Sequence, residues 1–251
     1  MTLLNSADSL RLGPKSIDRV YAGSNLVWQR AEGPATPFLL VNEWEPGFAT
    51  SNAFGPATTP GNLAIVRCVH RAGANSVVPT ITDNGEHTWH PIGDLVDGQY
   101  RGVVAGGSGD LYMWYTIVER PTTEIGVFFA DYPTAPRTIF MAEWSGNATT
   151  GVLHDYATKS NPSTSGLLPV AEVTTTVSGA LVVGALGALV SNRQFELVTA
   201  DFVAGKQHMA QQTTLIAASQ PDLPPGTYGP QWRLIGTASS TALITAAFRP
   251  A

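Results

Sequence analysis

Short apolar or alternating runs, separated by clusters of turn-forming residues, dominate the pattern along this chain. The 3.6-residue period of an amphipathic helix is scarce, whereas runs of strand length recur. Clusters such as Asp83–Gly85 and Pro224–Gly226 bound the runs. The predicted strands are Phe38–Trp44, Leu63–Arg71, Val77–Thr82, Thr88–Ile92, Tyr100–Val104, Leu111–Val118, Thr123–Phe129, Thr138–Trp144, Ala180–Val190, Gln194–Thr199, Lys206–Thr213, Gln231–Ile235 and Ala242–Phe248.

This spacing predicts an all-β fold made of two packed antiparallel sheets. Thr58–Val66 and Thr175–Val183 each place a Thr-Thr pair and a glycine turn before an apolar strand. Two related halves of this kind predict a jelly-roll-like sandwich. Asp83-Asn84-Gly85 predicts a tight hairpin, because Asn and Gly tolerate the positive φ that such a turn requires.

The first thirty residues behave as a separate segment. Leu10–Gly13 and Ile17–Trp28 predict a small β unit, and so short a segment cannot bury a core alone. Residues 31–37 contain two prolines and a glycine, which is typical of a linker. We predict a β docking segment at 1–30, a linker at 31–37 and a sandwich domain at 38–251. Alternatively, the first segment completes a sheet of the sandwich.

Composition narrows the partners and the compartment. Only 13% of the 251 residues are charged, the net charge is -5, and Lys and Arg total 14. This balance predicts neither nucleic-acid binding nor membrane insertion, and Ala180–Val190 is shorter than the ~20 residues of a bilayer span. Without an apolar leader, synthesis in a cytoplasm without a signal peptide is expected. Cys68, the single cysteine, is predicted to be a buried thiol.

Candidate catalytic groups are few. Glu43 and Glu45 would face one side of a strand, as a glycosidase pair could, but no third acid follows. A solvent-facing strand end or a subunit contact is the favoured interpretation. Residues 106–110 lack the second glycine of Gly-x-Ser-x-Gly, which favours a hairpin loop. We therefore predict no catalytic residue.

Metal ligands are also not predicted. His87 and His90, three residues apart on a strand, would face opposite sides, which argues against zinc. Acidic and amide residues in turns leave calcium open, although turn propensity explains their positions equally well. These turn residues are Asp83, Asn84, Glu86, Asp94, Asp97 and Asp110. No cofactor is predicted.

Aromatic residues supply the candidate ligand contacts. Sugars pack their C–H faces on aromatic rings beside polar groups. Tyr132, Tyr156 and Tyr228 fall in predicted loops, so a glycan site within one subunit is expected near them. The strand tryptophans are expected in the core or in an interface: Trp44, Trp89, Trp114, Trp144 and Trp232.

Several short motifs resemble the minor tail proteins of tailed phages that infect actinobacteria. Ile17–Trp28 resembles the "vYlGs..VW" segment that opens many of them. Further similar segments are Thr58–Val66, Ile81–Trp89, Met141–Gly146, Thr175–Val183 and Ala246–Pro250. The resemblance implies a virion tail component near the tail tip. Docking to other tail proteins is expected through Val20, Tyr21, Leu26, Val27 and Trp28.

The leading hypothesis is thus a non-enzymatic phage tail protein that self-associates and contributes to host attachment. The low charge fits surfaces buried between subunits, and analogy with tail fibres favours a trimer among homo-oligomers. One alternative is a carbohydrate-binding module or receptor-binding adhesin that recognises host envelope polysaccharide. A less favoured alternative is an envelope glycan hydrolase.

Overall fold

The computed structural model of the chain contains two compact units, residues 1–35 and 36–251. The residues described are 10–12, 15–17, 19–22, 25–29, 36–44, 47–48, 52–71, 78–104, 109–130, 136–189, 194–210 and 213–251. Residues 31–35 of the predicted linker lie outside them. None of the described residues forms a helix that could cross a membrane.

The first unit contains two antiparallel pairs of short strands. Strands β1 (Leu10–Leu12) and β2 (Lys15–Ile17) form one pair, and β3 (Arg19–Ala22) and β4 (Asn25–Gln29) form the other. The predicted docking residues fall on β3 and β4. A register shift after Val20 puts this residue opposite Trp28 and Tyr21 opposite Leu26.

Among the described residues of the second unit, every regular element is a β-strand. In chain order they are β5 (Leu39–Glu43), β6 (Gly47–Phe48), β7 (Ala53–Phe54), β8 (Leu63–His70), β9 (Pro79–Asp83), β10 (His90–Pro91), β11 (Leu95–Val96), β12 (Gln99–Tyr100), β13 (Val103–Val104), β14 (Asp110–Ile117), β15 (Glu124–Phe129), β16 (Arg137–Ser145), β17 (Leu153–Leu167), β18 (Val173–Thr175), β19 (Ala180–Ala188), β20 (Gln194–Leu197), β21 (Val203–Ala210), β22 (Thr213–Leu223), β23 (Gly226–Tyr228) and β24 (Trp232–Phe248).

Two large antiparallel sheets pack face to face. The central sheet has the order β10-β14-β8-β16-β5, with β13 beside β14 and β6 beside β16. The outer sheet has the order β17-β24-β19-β22-β21, with β20 beside β24. The predicted all-β antiparallel sandwich is therefore confirmed, while the jelly-roll order of strands stays a prediction.

A third sheet, β7-β15-β9, covers the other face of the central sheet. All eight residues of β8 are buried, since its two faces contribute to two different cores. Ile65 and Val69 pack in the cluster shared with the outer sheet, whereas Val66 and Cys68 pack in the cluster that includes the third sheet. Burial on both faces explains why apolar residues do not alternate with exposed polar ones along this strand, in which even Arg67 and His70 are buried.

The outer sheet also has two covered faces. Strand β19 is buried at all nine positions. Val183 and Ala185 belong to the core between the two large sheets, whereas Val182 and Leu186 belong to a further cluster that contains Trp232. The paired strands β18 and β23 contribute to this outer cluster. The central strand of each large sheet is therefore buried on both faces.

The hairpin predicted at Asp83-Asn84-Gly85 is wrong. The turn exists, but β9 before it pairs with β15, and β10 after it pairs with β14. The chain thus passes from the third sheet to the central sheet. The turn is held locally, because the Asp83 carboxylate accepts the Gly85 backbone N–H at 2.7 Å.

Several strand predictions differ from the structure at the outer sheet. Strand β17 is not predicted by the sequence pattern, because it is polar and contains a proline, which edge strands tolerate. Among the strands that the structure describes, its one partner is β24. The predicted strand Lys206–Thr213 straddles the end of β21 and the start of β22. The predicted strands Gln231–Ile235 and Ala242–Phe248 fall, except for Gln231, in one long strand β24, because β17 pairs with both segments and with Ser239 between them.

Candidate functional site

Two recesses lie at opposite edges of the sandwich. The larger, here called the open cleft, has a volume of about 250 Å³ and lies where β10 and β14 meet the start of β17. Its lining residues are Thr88, His90, Tyr115, Thr116, Ile117, Glu119, Thr149, Thr150, Gly151, Val152 and Leu153. The smaller, the edge cavity, lies at the β5 and β21 side.

The open cleft combines aromatic rings with hydroxyl groups. Cross-strand pairing sets His90 beside Tyr115, with ring centroids 5.2 Å apart, and Phe248 supports Tyr115 from the core at 5.7 Å. Thr116 donates to the backbone carbonyl of Thr88 at 2.9 Å, which closes the floor. Such a half-buried ring beside polar groups can pack against a sugar face.

Tyr156, a predicted glycan contact, lies on the same edge strand as the cleft residue Leu153. It is 37% exposed, and its hydroxyl donates to Asp94 at 2.9 Å. The hydrogen bond to Asp94 raises the pKa of the Tyr156 phenol, because it stabilises the protonated form.

The other two predicted tyrosines do not extend this site. Tyr228 packs against the outer cluster, and its hydroxyl donates to the carbonyl of Pro224 at 2.9 Å. Tyr132 lies outside the described residues. The structure therefore places Tyr156 beside the cleft strands and Tyr228 against a different face of the outer sheet.

The edge cavity has a volume of about 70 Å³ and lies between the central and outer sheets. Leu40 and Glu43 on β5 face Val203 and Gly205 on β21 across it. The remaining lining residues are Arg67, Ala142, Trp144, Ala204, Ala217, Ala218 and Ser219.

Glu43 joins the two sheets at this cavity. Its carboxylate accepts the backbone N–H of Lys206 at 2.9 Å, which a register shift in β21 leaves available. A Cβ at Gly205 would lie 2.7 Å from the same carboxylate oxygen, so glycine is required for this approach. Glu45 lies outside the described residues, so its placement on the same side as Glu43 stays a prediction.

The edge cavity contains two buried donors that the sequence pattern does not predict. Arg67 is only 2% exposed, and burial lowers the pKa of its guanidinium to about 10, while the Glu43 charge acts in the opposite direction. Its Nε has no hydrogen-bond partner, and the same holds for Nε1 of Trp144, which is 4% exposed. The sequence signal for such a site is an arginine within the largely apolar strand β8, where a charged side chain must be buried.

A row of ionisable residues crosses three neighbouring strands of the central sheet. Backbone pairing sets Asp110 on β14 and Arg137 on β16 to either side of His70 on β8. All three are at most 1% exposed, and the His70 ring stacks on Phe129 at 3.6 Å. Neither ring nitrogen of His70 has a hydrogen-bond partner, and the same is true of one Asp110 oxygen.

Burial shifts the pKa values of His70 and Asp110 in opposite directions. It lowers the pKa of His70 to about 4, with the Arg137 charge acting the same way. It raises the pKa of the Asp110 carboxyl to about 6, against a hydrogen bond from Tyr112. The imidazole is therefore neutral at neutral pH. The sequence placed Asp110 in a turn, but it begins β14 and is fully buried.

Other predicted residues are used structurally. The Asp83 carboxylate accepts the Trp89 indole N–H at 2.7 Å and contacts the His87 ring at 2.8 Å. Within the described ranges, no group of three or more His, Cys, Asp or Glu side chains could hold a metal ion. The buried tryptophans confirm the core prediction for Trp44, Trp114, Trp144 and Trp232, and Trp89 is half-buried.

No protein family, curated protein or solved structure matches this chain. The sequence motifs, the two units and the two recesses are the features of the chain that bear on its function.

Proposed function

We propose that this chain is a non-enzymatic structural component of a phage tail, near the tail tip, that contributes to host-surface attachment. The observation that carries the proposal is that the tail-protein-like motif and the first compact unit fall in the same part of the chain. The tail-protein-like segment Ile17–Trp28 lies within a compact unit, residues 1–35, that is distinct from the sandwich. A short β unit with its own strand pairs is suited to dock onto neighbouring tail proteins.

Exposed apolar side chains on the edge strands support self-association. On the edge strand β5, Leu39 is 61% and Val41 41% exposed, and neither lines the edge cavity. Edge strands with apolar surface favour pairing with another chain unless they are covered. We propose a homo-oligomer, with a trimer favoured, in which these two side chains are covered and the edge cavity stays open.

Two measurements test this proposal. Antibodies against the sandwich should label the tail tip of assembled particles in electron micrographs. If the assembled particles do not contain this chain, the tail role is contradicted. Light scattering of the purified full-length chain at micromolar concentration should give the mass of three subunits. A mass of one subunit would overturn the oligomer.

The open cleft favours carbohydrate binding as a second candidate function. Its ring pair and threonine hydroxyls match the apolar face and hydroxyl groups of a sugar. Binding of the full-length chain to purified host envelope polysaccharide should weaken at least tenfold in His90→Ala. Phe54→Ala, which removes an exposed ring from the third sheet, is the matched control and should bind normally. Equal binding by both variants would exclude the cleft.

A further inference from the structure

The edge cavity contains two hydrogen-bond donors without acceptors. Nε of Arg67 and Nε1 of Trp144 are both buried, line the same cavity and have no hydrogen-bond partner. Buried polar groups in native proteins are almost always satisfied by protein, water or ligand. Two such donors around one space indicate an occupant that presents an oxygen acceptor.

The opposite wall of the cavity supplies an acceptor. The Glu43 carboxylate lines the cavity and is held in place by the backbone N–H of Lys206. Because Arg67 and Glu43 carry opposite charges in one small space, a neutral polar group is favoured over an anion, which Glu43 would repel. The occupant should therefore offer both an acceptor oxygen and a donor.

The rest of the lining is apolar and small. Ala142, Ala217 and Ala218 are buried, while Leu40 and Val203 are exposed at the mouth. A volume of about 70 Å³ exceeds the roughly 30 Å³ share of one water molecule, so a group of a few heavy atoms fits. The walls suit a methyl group.

We propose that the edge cavity binds a secondary amide, specifically the acetamido group of an N-acetylated sugar. The carbonyl oxygen accepts from Arg67 and Trp144, the amide N–H donates to Glu43, and the methyl group packs on the alanines. The sugar ring then lies at the mouth, against Leu40 and Val203. The choice of an amino sugar over other amides rests on the proposed contact with a host envelope.

The test is an NMR titration of the full-length, ¹⁵N-labelled protein with N-acetylglucosamine. The assigned indole resonance of Trp144 should shift saturably. Glucose and glucosamine lack the acetyl group and should leave it unchanged, and acetate should not compete. No shift with the acetylated sugar, as expected if the cavity holds only water, would overturn the site. An equal shift with glucose, or competition by acetate, would also overturn it.

Matched variants identify the cavity. Arg67→Met removes the donor at similar length and should weaken binding at least tenfold, whereas Arg233→Met, at an exposed ion pair with Glu196, should not. If Arg67→Met does not fold, Gly205→Ala gives the second measurement, because its methyl group displaces the Glu43 carboxylate. Unchanged affinity in the folded cavity variant would refute the proposal.

This experiment is separable from the test of the tail role. It uses the purified chain, so failure to bind the sugar removes the amide site and leaves the location in the virion unaffected. Absence of the chain from phage particles would remove the tail role even if the sugar binds.

Discussion

The buried carboxylate of Glu143 accepts a hydrogen bond from the side-chain amide of Asn62 at 2.6 Å. The same oxygen accepts the Thr59 backbone N–H at 2.8 Å, and the other oxygen accepts the Asn42 amide at 2.8 Å. Glu143 has no exposed surface. A single carboxylate on β16 thus connects edge strand β5 with the turn that leads into β8.

Glu143→Gln should lower the free energy of unfolding by about 2–4 kcal/mol, because its amide nitrogen would face a donor where an oxygen accepted one. Urea denaturation followed by tryptophan fluorescence measures the change. Glu172→Gln, at an exposed position, is the control and should stay within about 0.5 kcal/mol of wild type. A fully stable Glu143→Gln would show that the three donors contribute little.

Asp83→Asn should destabilise the turn between the third and central sheets. Burial opposes ionisation of Asp83, but hydrogen bonds from Trp89, His87 and Gly85 outweigh it, so its pKa lies below the ordinary value. The charged carboxylate therefore stabilises the fold above the ordinary Asp pKa of about 3.9, and this contribution is lost as pH falls through the lower folded pKa.

The expected loss of unfolding free energy at pH 7 in Asp83→Asn is about 1–3 kcal/mol, because one donor loses its acceptor. Thermal unfolding between pH 2 and 7 measures it, and the gap from wild type should narrow in acid. Asp201→Asn, at an exposed position, serves as the comparison. A gap that is constant with pH would contradict the assigned role of the charge.

His70 and Asp110 should make opposing contributions to the pH dependence of stability. The depressed pKa of His70, about 4, gives stability above the unfolded value near 6.5 that is lost as pH falls toward 4. The raised pKa of Asp110, about 6, gives stability below the unfolded value near 3.9 that is lost as pH rises toward 6. Their two contributions largely cancel in the wild type.

Single substitutions should separate the contributions of His70 and Asp110 to the pH dependence of stability. As pH rises from 4 to 6, the free energy of unfolding of Asp110→Asn should increase relative to wild type by about 3 kcal/mol. That of His70→Gln should decrease relative to wild type by about the same amount. Chemical denaturation at several pH values gives both difference curves. Parallel curves for the two variants and wild type would show that neither group titrates in this window.

The Cys68 thiol should be unreactive in the native state. It has no exposed surface, and burial raises its pKa to about 12, with the Arg137 charge opposing the shift. Because the thiolate is the reactive form, an aromatic disulfide reagent should modify the chain only as fast as it unfolds. One thiol per chain should react in denaturant, and rapid modification of the folded protein would contradict the burial.

Strands with local signals were predictable. Leu63–Arg71 and Ala180–Val190 are runs in which apolar residues dominate, and they contain β8 and β19, the central strands of the two large sheets. Residues 153–167 carry a polar sequence, and their strand exists because β24 provides a partner along its length. The prediction of a hairpin at Asp83–Gly85 is wrong for the same reason. The turn is determined by local residues, but the partner of each flanking strand is determined by tertiary contacts.

The candidate sites show the same division. The sequence by itself determined an all-β chain with a short separate N-terminal segment and a buried single thiol, since hydrophobic period and turn residues act over a few positions. Only the tertiary structure brought Arg67 and Trp144 to a cavity closed by Glu43, and set His70 between Asp110 and Arg137. These residues come from different strands and sheets, so their meeting depends on register and sheet packing, which no local pattern encodes.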